Sequence, residues 1–360
     1  MAAHFQRQWS KFDAKGFVTA ATKDLDTLEL KARTERITDT MIEYFPADFE
    51  EAGEIMLASL GSPLDDNISA GTVDAKGIAG WAVTPLTHYV GLRGHDHFDF
   101  SMTLFKEMTK RASSEFGIRF FLLESPAKTL SVLKTWTTDN NQHVRRLVSE
   151  GIRPRLPWAM NLPIFIKDPF PVIDLLERLK DDEEEYVRRS VANNLNDIAK
   201  DHPDVVAKIA AQWIKGASQE RIKLIRHACR TLVKNGHKKT LKVLGFKPPK
   251  IQKVSIDIST PEVVFGDALQ FTMAICSDSN EDQSLMVDYI IHHQKANGRT
   301  SPKVFKWRTI TLPAKKTLTS TKKHIIKEIT TRVYYPGVHT VEVMVNGVSV
   351  GAADFQLLMP

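Results

Sequence analysis

One pattern occurs twice in this chain, as HVRRLVSE at residues 143–150 and as YVRRSVANNLND at residues 186–197. At about 3.6 residues per turn, the second copy predicts a helix with an apolar stripe on one side. That stripe consists of Val187, Val191, Leu195 and Ile198. A polar stripe, roughly opposite, consists of Arg189, Asn193 and Asp197, and its counterpart in the first copy consists of Arg146 and Glu150. If the two helices stack in parallel, the polar stripes merge into one surface that carries both arginines and carboxylates.

The pattern recurs after 43 residues, and a looser copy follows at residues 222–232. A period near 40 residues, built from helix pairs, is typical of HEAT-like solenoids, in which each pair buries its apolar face against its neighbours. Helical periodicity with short polar breaks extends through the first 248 residues. We therefore predict an all-α HEAT-like repeat solenoid with a concave binding surface. Residues 61–98 are richer in Gly, Asp and Thr, which predicts a loop-containing insertion.

The periodicity changes from about 3.6 to 2 after the sequence FKPPK at residues 246–250. Asn346-Gly347 predicts a two-residue hairpin, and Pro248-Pro249 predicts a stiff linker. We therefore predict two domains, a helical one at residues 1–248 and an all-β immunoglobulin-like sandwich at residues 251–360. The predicted strands are residues 254–258, 269–275, 285–291, 303–307 and 341–345.

The composition, with 42% hydrophobic and 26% charged residues, is that of a globular protein. The net charge of +6 and the pI of about 9.1 favour an acidic partner such as nucleic acid. Cys229 and Cys276 lie in different predicted domains, which argues against a disulfide framework and for a reducing compartment. The first 15 residues lack the apolar core of a signal peptide, and no apolar run reaches the roughly 20 residues of a membrane span. We expect a cytoplasmic monomer.

A metal site is suggested by GHDHFD at residues 94–99, where His95, His97 and Asp99 alternate as ligands could. The segment lacks a partner cluster with zinc-ligand spacing, so we expect surface groups, with Asp99 as a helix N-cap. The sequence contains no phosphate-binding glycine loop and no nucleophile elbow. We predict that the protein uses neither a metal nor another cofactor.

A proline-containing connector, SEGIRPRLPW at residues 149–158, ends the first copy of the repeat. Its prolines must end the helix, because each removes a backbone N–H and restricts the residue before it. Glu150 then lies at a helix terminus, and Arg153, Arg155 and Trp158 lie on a rigid connector. Trp158 could stack on a nucleobase at the rim of a basic surface. Alternatively, it packs under a loop while the arginines neutralise Glu150.

The sequences SEGxRPRLPW at residues 149–158 and VRRSVANNLND at residues 187–197 resemble the AlkC-type DNA alkylation repair glycosylases, as does SEFxIR at residues 114–119. The resemblance covers the whole helical domain, and the predicted immunoglobulin-like domain is similar to that of one AlkC subgroup. It implies an enzyme of base excision repair that hydrolyses the N-glycosidic bond of cationic alkylated bases, such as 3-methyladenine, in duplex DNA. It also implies that the base is not flipped into a pocket, and that the enzyme works at the nucleoid in the bacterial cytoplasm.

The chemistry that the resemblance implies suits carboxylates. An N-alkylated purine is already a cationic leaving group and needs no general acid, whereas positive charge develops on the deoxyribose in an oxocarbenium-like transition state. Carboxylates can stabilise that charge and orient a water for attack at C1′. The catalytic candidates are Glu115, Glu150 and Asp197. The alternative is that they balance the charges of Arg119, Arg146, Arg153 and Arg189.

Carboxylates on a DNA-facing surface repel phosphates and therefore need cationic neighbours. The candidates for contact with DNA or the lesion are Trp158, Arg146, Arg153, Arg155, Arg188, Arg189 and Asn193. The β domain concentrates Lys and Arg at residues 299–327, which either grip the duplex or protect sheet edges from aggregation. The alternative for the whole chain is a non-catalytic DNA- or protein-binding HEAT scaffold with an immunoglobulin-like adaptor. The carboxylates favour the glycosylase, because a surface that only binds DNA has no use for them.

Overall fold

The computed structural model of the chain describes residues 1–64 and 71–359, with helices followed by strands. The α-helices are α1 Ala2–Gln8, α2 Ala14–Thr22, α3 Leu30–Tyr44, α4 Phe49–Ser59, α5 Thr84–Arg93, α6 Phe98–Thr109, α7 Ile118–Glu124, α8 Pro126–Trp136, α9 Gln142–Gly151, α10 Pro163–Lys167, α11 Phe170–Leu179, α12 Glu185–Ile198, α13 Pro203–Trp213, α14 Gln219–Ala228, α15 Arg230–Lys234 and α16 Lys238–Val243. The strands are β1 Ile251–Ile258, β2 Glu262–Val264, β3 Ala268–Ser277, β4 Gln283–Gln294, β5 Thr300–Leu312, β6 Thr317–Ile325, β7 Gly337–Val345 and β8 Val348–Leu358. The predicted fold class is confirmed.

The chain forms two compact units. The first contains residues 1–202 and 216–228, and the second contains residues 203–215 and 229–360. Within residues 1–64 and 71–359, no helix is both long and apolar enough to cross a membrane.

Helix α9 begins directly after Asn141, which is its N-cap residue. The side-chain Oδ1 of Asn141 accepts hydrogen bonds from the backbone N–H groups of His143, at 2.9 Å, and Val144, at 3.4 Å. This N-cap satisfies backbone donors that have no partner inside the helix. Three apolar residues of α9 are fully buried, namely Val144, Leu147 and Val148.

Helices α9 and α12 pack side by side and run in the same direction. Ser149 Oγ donates to Ser190 Oγ at 2.6 Å, and Asn194 Nδ2 donates to the Ser149 carbonyl at 2.8 Å. Just beyond α9, Arg153 Nε donates to Asp197 Oδ2 at 2.8 Å. Residue numbers rise together in these pairs, as the parallel stacking of two repeats requires. Helix α14 packs against α12 as the next layer.

The prediction of one solvent-facing polar stripe on α12 is wrong at its C-terminal end. Arg189 is exposed and Asn193 is half-buried, but Asp197 is only 2% exposed. The cause is the neighbouring repeat, because the connector after α9 brings the side chain of Arg153 against Asp197.

The predicted insertion at residues 61–98 contains a regular helix. Helix α5 begins at Thr84 with Pro85 in its first turn and buries several residues, so the insertion is not only loop. Residues 65–70, part of the same prediction, lie outside the described residues.

The expectation that Asp99 is an N-cap is wrong, because α6 begins at Phe98 and Asp99 lies inside its first turn. His95 and His97 do not converge with Asp99 on one point. His95 Nδ1 lies 2.8 Å from Glu124 Oε2, and His97 Nδ1 lies 3.0 Å from Glu50 Oε1.

The strands form the predicted β-sandwich. One sheet has the order β1-β3-β6 and the other has the order β2-β8-β7-β4-β5, with every neighbouring pair antiparallel except β2 and β8. Both sheets contribute apolar side chains to the core. Phe271 of β3 and Tyr289 of β4, for example, pack edge to face with their ring centroids 5.4 Å apart.

The predicted hairpin at Asn346-Gly347 joins β7 and β8. Both residues have positive φ angles, 47° and 74°, as a type I′ turn requires. Asn346 Nδ2 donates to the Lys247 carbonyl at 2.7 Å, and a Cβ on Gly347 would lie 2.5 Å from the Cα of Gly236. The segment that contains helices α15 and α16 therefore packs against the β7–β8 hairpin within the second unit. The domain boundary predicted at residues 248–251 stays a prediction, because these contacts cross it.

We expect the sandwich to lose stability in acid because it buries uncharged histidines. Burial lowers the pKa of His293 to about 3 and that of His324 to about 4. Both ring nitrogens of His293 lack a hydrogen-bond partner among the described residues. In the unfolded chain a histidine titrates near its ordinary pKa of about 6.5, so below that pH the unfolded state binds more protons than the folded state. The histidines' contribution to the free energy of unfolding is therefore complete above about pH 6.5 and falls as the pH drops towards 4.

Urea denaturation at pH 7.5 and at pH 5, followed by circular dichroism, measures this effect. The variant His293→Gln should lose less stability than the wild type between the two pH values, because it removes one titrating group. An equal loss in both proteins would contradict the prediction.

Candidate functional site

The predicted catalytic carboxylates come from three neighbouring segments of the first unit. Glu115 precedes α7, Glu150 lies in the last turn of α9, and Asp197 lies near the end of α12. Packing of α9 against α12 places the ends of both helices beside the connector at residues 152–162. The site therefore lies where two stacked repeats terminate.

Glu150 is 4% exposed and uses both of its carboxylate oxygens. Oε1 accepts a hydrogen bond from Arg153 Nη1 at 2.6 Å and lies 3.4 Å from Arg146 Nη2, and Oε2 accepts one from Ser190 Oγ at 2.6 Å. Burial alone would raise the pKa of Glu150, but the charges of Arg146 and Arg153 outweigh it and hold that pKa below its ordinary value. Glu150 is therefore ionised at neutral pH.

Arg153 joins Glu150 to Asp197. Its Nε donates to Asp197 Oδ2 at 2.8 Å, and Lys200 Nζ donates to Asp197 Oδ1 at 2.9 Å. Burial works to lower the pKa of Arg153, but Glu150 and Asp197 raise it above its ordinary value. A guanidinium that is charged at all accessible pH values thus holds two buried carboxylates at once.

Arg146 joins Glu150 to Glu115. Its Nη1 donates to Glu115 Oε2 at 2.5 Å and to Ser113 Oγ at 2.9 Å, and its guanidinium lies 5.2 Å from the ring centroid of Tyr186. The result is one continuous sequence of alternating charges, which we call the ion-pair chain: Glu115, Arg146, Glu150, Arg153 and Asp197.

The ion-pair chain can be compared with the alternative that the carboxylates only balance the charges of the arginines. The arginines do neutralise the carboxylates, as that alternative predicts. However, burying several charges costs solvation free energy that mutual attraction only partly offsets, and well-packed apolar residues are often at least as stabilising. Stability alone therefore does not explain the arrangement. Arg189, one of the expected neutralising residues, is exposed and makes no ion pair with these carboxylates.

The three carboxylates differ in their free hydrogen-bonding capacity. Both oxygens of Glu150 and both oxygens of Asp197 accept hydrogen bonds. Glu115 uses only Oε2, which accepts from Arg146 and also from Ser113 Oγ at 2.6 Å. Among the described residues no group contacts Glu115 Oε1 within hydrogen-bonding distance. Glu115 is therefore the carboxylate best able to accept a hydrogen bond from a water.

Trp158 is 76% exposed, so the alternative that it packs under a loop is wrong. It has a φ of 66°, a left-handed conformation that is unfavourable for a residue with a Cβ. The connector around it is closed by backbone hydrogen bonds from Ala159 to Leu156, at 3.2 Å, and from Leu162 to Pro154, at 3.0 Å. The closed connector therefore presents the aromatic ring of Trp158 to solvent, as contact with a nucleotide would require.

Three other predicted DNA-binding residues have polar partners outside the ion-pair chain. Arg155 forms a bidentate pair with Asp201, at 3.0 and 2.9 Å, at the edge of the site. Arg188 donates to the carbonyls of Asp182 and Glu183, in the turn before α12. The side chain of Asn193 lies 2.9 Å from His227 Nε2.

Ser190 donates directly to Glu150 but was not among the residues predicted from the sequence. A signal existed: Ser190 occupies the position of the repeat where the first copy has the buried Leu147. A hydroxyl at an otherwise apolar position must find a partner, and here that partner is a catalytic candidate. Ser113 binds Glu115 and Lys200 binds Asp197, but no sequence pattern indicated these two contacts.

Comparison with known proteins gives two family matches. The family described as DNA alkylation repair enzyme matches residues 112–232, and the C-terminal immunoglobulin-like domain of YhaZ matches residues 252–359. The chain is 36% identical over 356 residues to the uncharacterised protein YhaZ of Bacillus subtilis (strain 168), covering 98% of this chain and 95% of that protein. It is also similar to the Pseudomonas fluorescens alkylpurine DNA glycosylase AlkC, solved bound to DNA containing an abasic site analog. The TM-score is 0.87 with 34% identity, covering 99% of this chain and 96% of the other.

Proposed function

The chain belongs to the AlkC family of DNA alkylation repair proteins, and we propose that it is a glycosylase that removes cationic alkylated bases, such as 3-methyladenine, from duplex DNA. The observation that carries the proposal is the ion-pair chain, which keeps three carboxylates together in a basic protein. A site that only binds the polyanionic backbone gains nothing from buried negative charge.

In the proposed reaction the bond between C1′ and the base nitrogen breaks, and the base leaves as a neutral molecule with the bonding electrons. Positive charge then develops on the sugar, and Glu115, Glu150 and Asp197 stabilise it electrostatically. A water attacks C1′ and gives its proton to a carboxylate, for which the open Oε1 makes Glu115 the best candidate. The product is an abasic site. No general acid is required, since the alkylated base already carries the positive charge.

The roles of the arginines follow from their contacts. Arg146 and Arg153 keep Glu150 ionised, and their positive charges offset the repulsion between the carboxylates and the phosphates. Arg189 is exposed, and Arg155 is partly exposed beside Asp201, so both can reach the DNA backbone. We propose that Trp158 contacts the lesion nucleotide or its sugar without flipping of the base, because a ring on the outer surface of the connector is not part of an enclosed pocket.

The direct test is release of free methylated base from methylated duplex DNA by the purified protein, with no added metal or nucleotide. We expect 3-methyladenine to be released at a rate proportional to enzyme concentration, leaving an abasic site that alkali cleaves. Tight binding to DNA without release of any base would contradict the proposal and favour the non-catalytic scaffold.

We also propose that the β-sandwich contributes to DNA affinity rather than to chemistry. Lys303 and Lys306 on β5 and Lys323 on β6 have exposed side chains, and these two strands follow each other in sequence but lie in different sheets. Replacing all three with glutamine should weaken duplex binding and make its salt dependence shallower, by about 0.9 in log–log slope for each phosphate that the protein no longer neutralises. The single-turnover rate at saturating enzyme should change less than the affinity does.

The matched control replaces Lys11, Lys15 and Lys23, which are exposed in the N-terminal region, and so removes the same net charge. Fluorescence anisotropy at several salt concentrations measures both triple variants. Equal slopes for the two variants would show that the sandwich lysines act only through net charge, and would contradict a specific contact.

A further inference from the structure

Arg119 is a fully buried arginine that forms no ion pair within the part of the chain that the structure describes. It is the second residue of α7, its exposure is 0%, and it ranks among the largest fully buried side chains there. Its guanidinium donates only to main-chain carbonyls: Nε to Met160 at 2.8 Å, and Nη1 to Gly151 at 2.8 Å and to Arg153 at 2.9 Å.

The three carbonyls belong to one short stretch of chain. Gly151 is the last residue of α9, Arg153 begins the connector, and Met160 follows Trp158 by two residues. One planar group therefore holds both ends of the loop that carries Trp158. It also fixes the backbone of Arg153, whose own side chain binds Glu150 and Asp197.

Burying the guanidinium of Arg119 costs solvation free energy. Burial lowers the pKa of Arg119 to about 10, and its Nη2 has no hydrogen-bond partner among the described residues. A buried charge without a carboxylate costs solvation free energy, and an apolar side chain of similar size would avoid that cost. What an apolar residue cannot provide is a rigid fork of donors at fixed angles, which arginine has and lysine lacks.

We propose that Arg119 is a positioning residue, which holds the connector so that Trp158 and Arg153 are set relative to the carboxylates. Its effect on catalysis rests on the proposed glycosylase function, whereas its effect on the connector does not. Displacing a catalytic group by about 1 Å can reduce the rate of a reaction by about a hundredfold. A loosened connector should therefore slow base release while the affinity for DNA persists.

The test uses Arg119→Lys, which keeps the charge but cannot reach all three carbonyls, and Arg119→Ala, which leaves a cavity shaped for guanidinium. Two readouts are combined. One is the single-turnover rate of base release together with the dissociation constant for undamaged duplex. The other is the ¹⁹F NMR spectrum of the full chain with 5-fluorotryptophan at its 6 tryptophans, in which Trp158→Phe assigns the resonance of Trp158.

For Arg119→Lys we expect the rate to fall by about 10–100-fold with affinity for undamaged duplex nearly unchanged, because the loss is one of geometry. The Trp158 resonance should shift or broaden while the other tryptophan resonances stay in place. In Arg119→Ala, millimolar guanidinium chloride should restore both the resonance and part of the rate, whereas urea at the same concentration should not. The matched control is Arg111→Lys, since Arg111 also donates to a main-chain carbonyl, Gly61, but does not contact the connector.

An unchanged Trp158 resonance and rate in Arg119→Lys would overturn the proposal. So would simultaneous loss of all tryptophan resonances in both variants, because Arg119 would then hold the helices together rather than position one loop. If the wild type releases no base but the Trp158 resonance responds as expected, the proposed function fails and the positioning role of Arg119 stands.

Discussion

Glu150→Gln and Asp197→Asn are each expected to slow base release by about 10²–10³-fold, the usual loss when one preorganised electrostatic group is removed from an active site. Both substitutions keep the shape of the side chain and remove its negative charge, so the positive charge on the sugar loses a stabilising partner. Affinity for undamaged duplex should be unchanged or slightly higher, because a neutral amide no longer repels phosphates. Single-turnover release of methylated base, together with binding anisotropy, measures both quantities.

Stability must be measured with the rate, because both carboxylates belong to the ion-pair chain. Removing one partner of a buried ion pair can destabilise a protein by about 3–5 kcal/mol, and a partly unfolded enzyme would mimic a catalytic defect. Rates are therefore compared below the melting temperature of each variant. Glu185→Gln, at an exposed carboxylate in the first turn of α12, is the matched control and should retain full activity. Wild-type rates for Glu150→Gln and Asp197→Asn would refute the catalytic assignment.

Helical periodicity predicted the repeats and the residues that line them, but not the burial of the site. Helical periodicity places Glu150 and Asp197 on polar stripes of their own helices. It describes one helix at a time and therefore cannot show what a neighbouring segment covers. Their burial depends on Arg153, which arrives from a connector whose path no periodicity determines. The prolines correctly predicted that α9 ends near residue 151, yet they did not predict the left-handed conformation of Trp158.

The role of Arg119 could not have been inferred from sequence. Its partners are main-chain carbonyls, which every residue has, so no side-chain pattern identifies them. Conversely, Asn346-Gly347 was predictable because a type I′ turn needs φ values that few other residue pairs tolerate. Local steric requirements can be read from sequence, whereas long-range polar contacts become visible only when the chain is folded.

Trp158→Ala is expected to slow base release by about 5–100-fold, since stacking of a base on an aromatic ring contributes about 1–3 kcal/mol. The melting temperature should change by no more than about 2 °C, because truncating an exposed ring leaves no cavity. Differential scanning fluorimetry and single-turnover kinetics on the same preparations separate the two effects. Trp81→Ala is the matched control, since Trp81 is also mostly exposed, at 62%, but lies far from the connector in sequence.

The backbone at Trp158 provides an independent check of this interpretation. A residue with a Cβ in the left-handed region costs roughly 1 kcal/mol that glycine avoids, so Trp158→Gly should be at least as stable as Trp158→Ala. Both variants should be equally slow, because both lack the ring. Trp158→Phe keeps a smaller aromatic face and should recover part of the rate. A drop in melting temperature corresponding to about 3–5 kcal/mol in Trp158→Ala would instead assign the ring to packing, and normal turnover in both variants would remove Trp158 from the site.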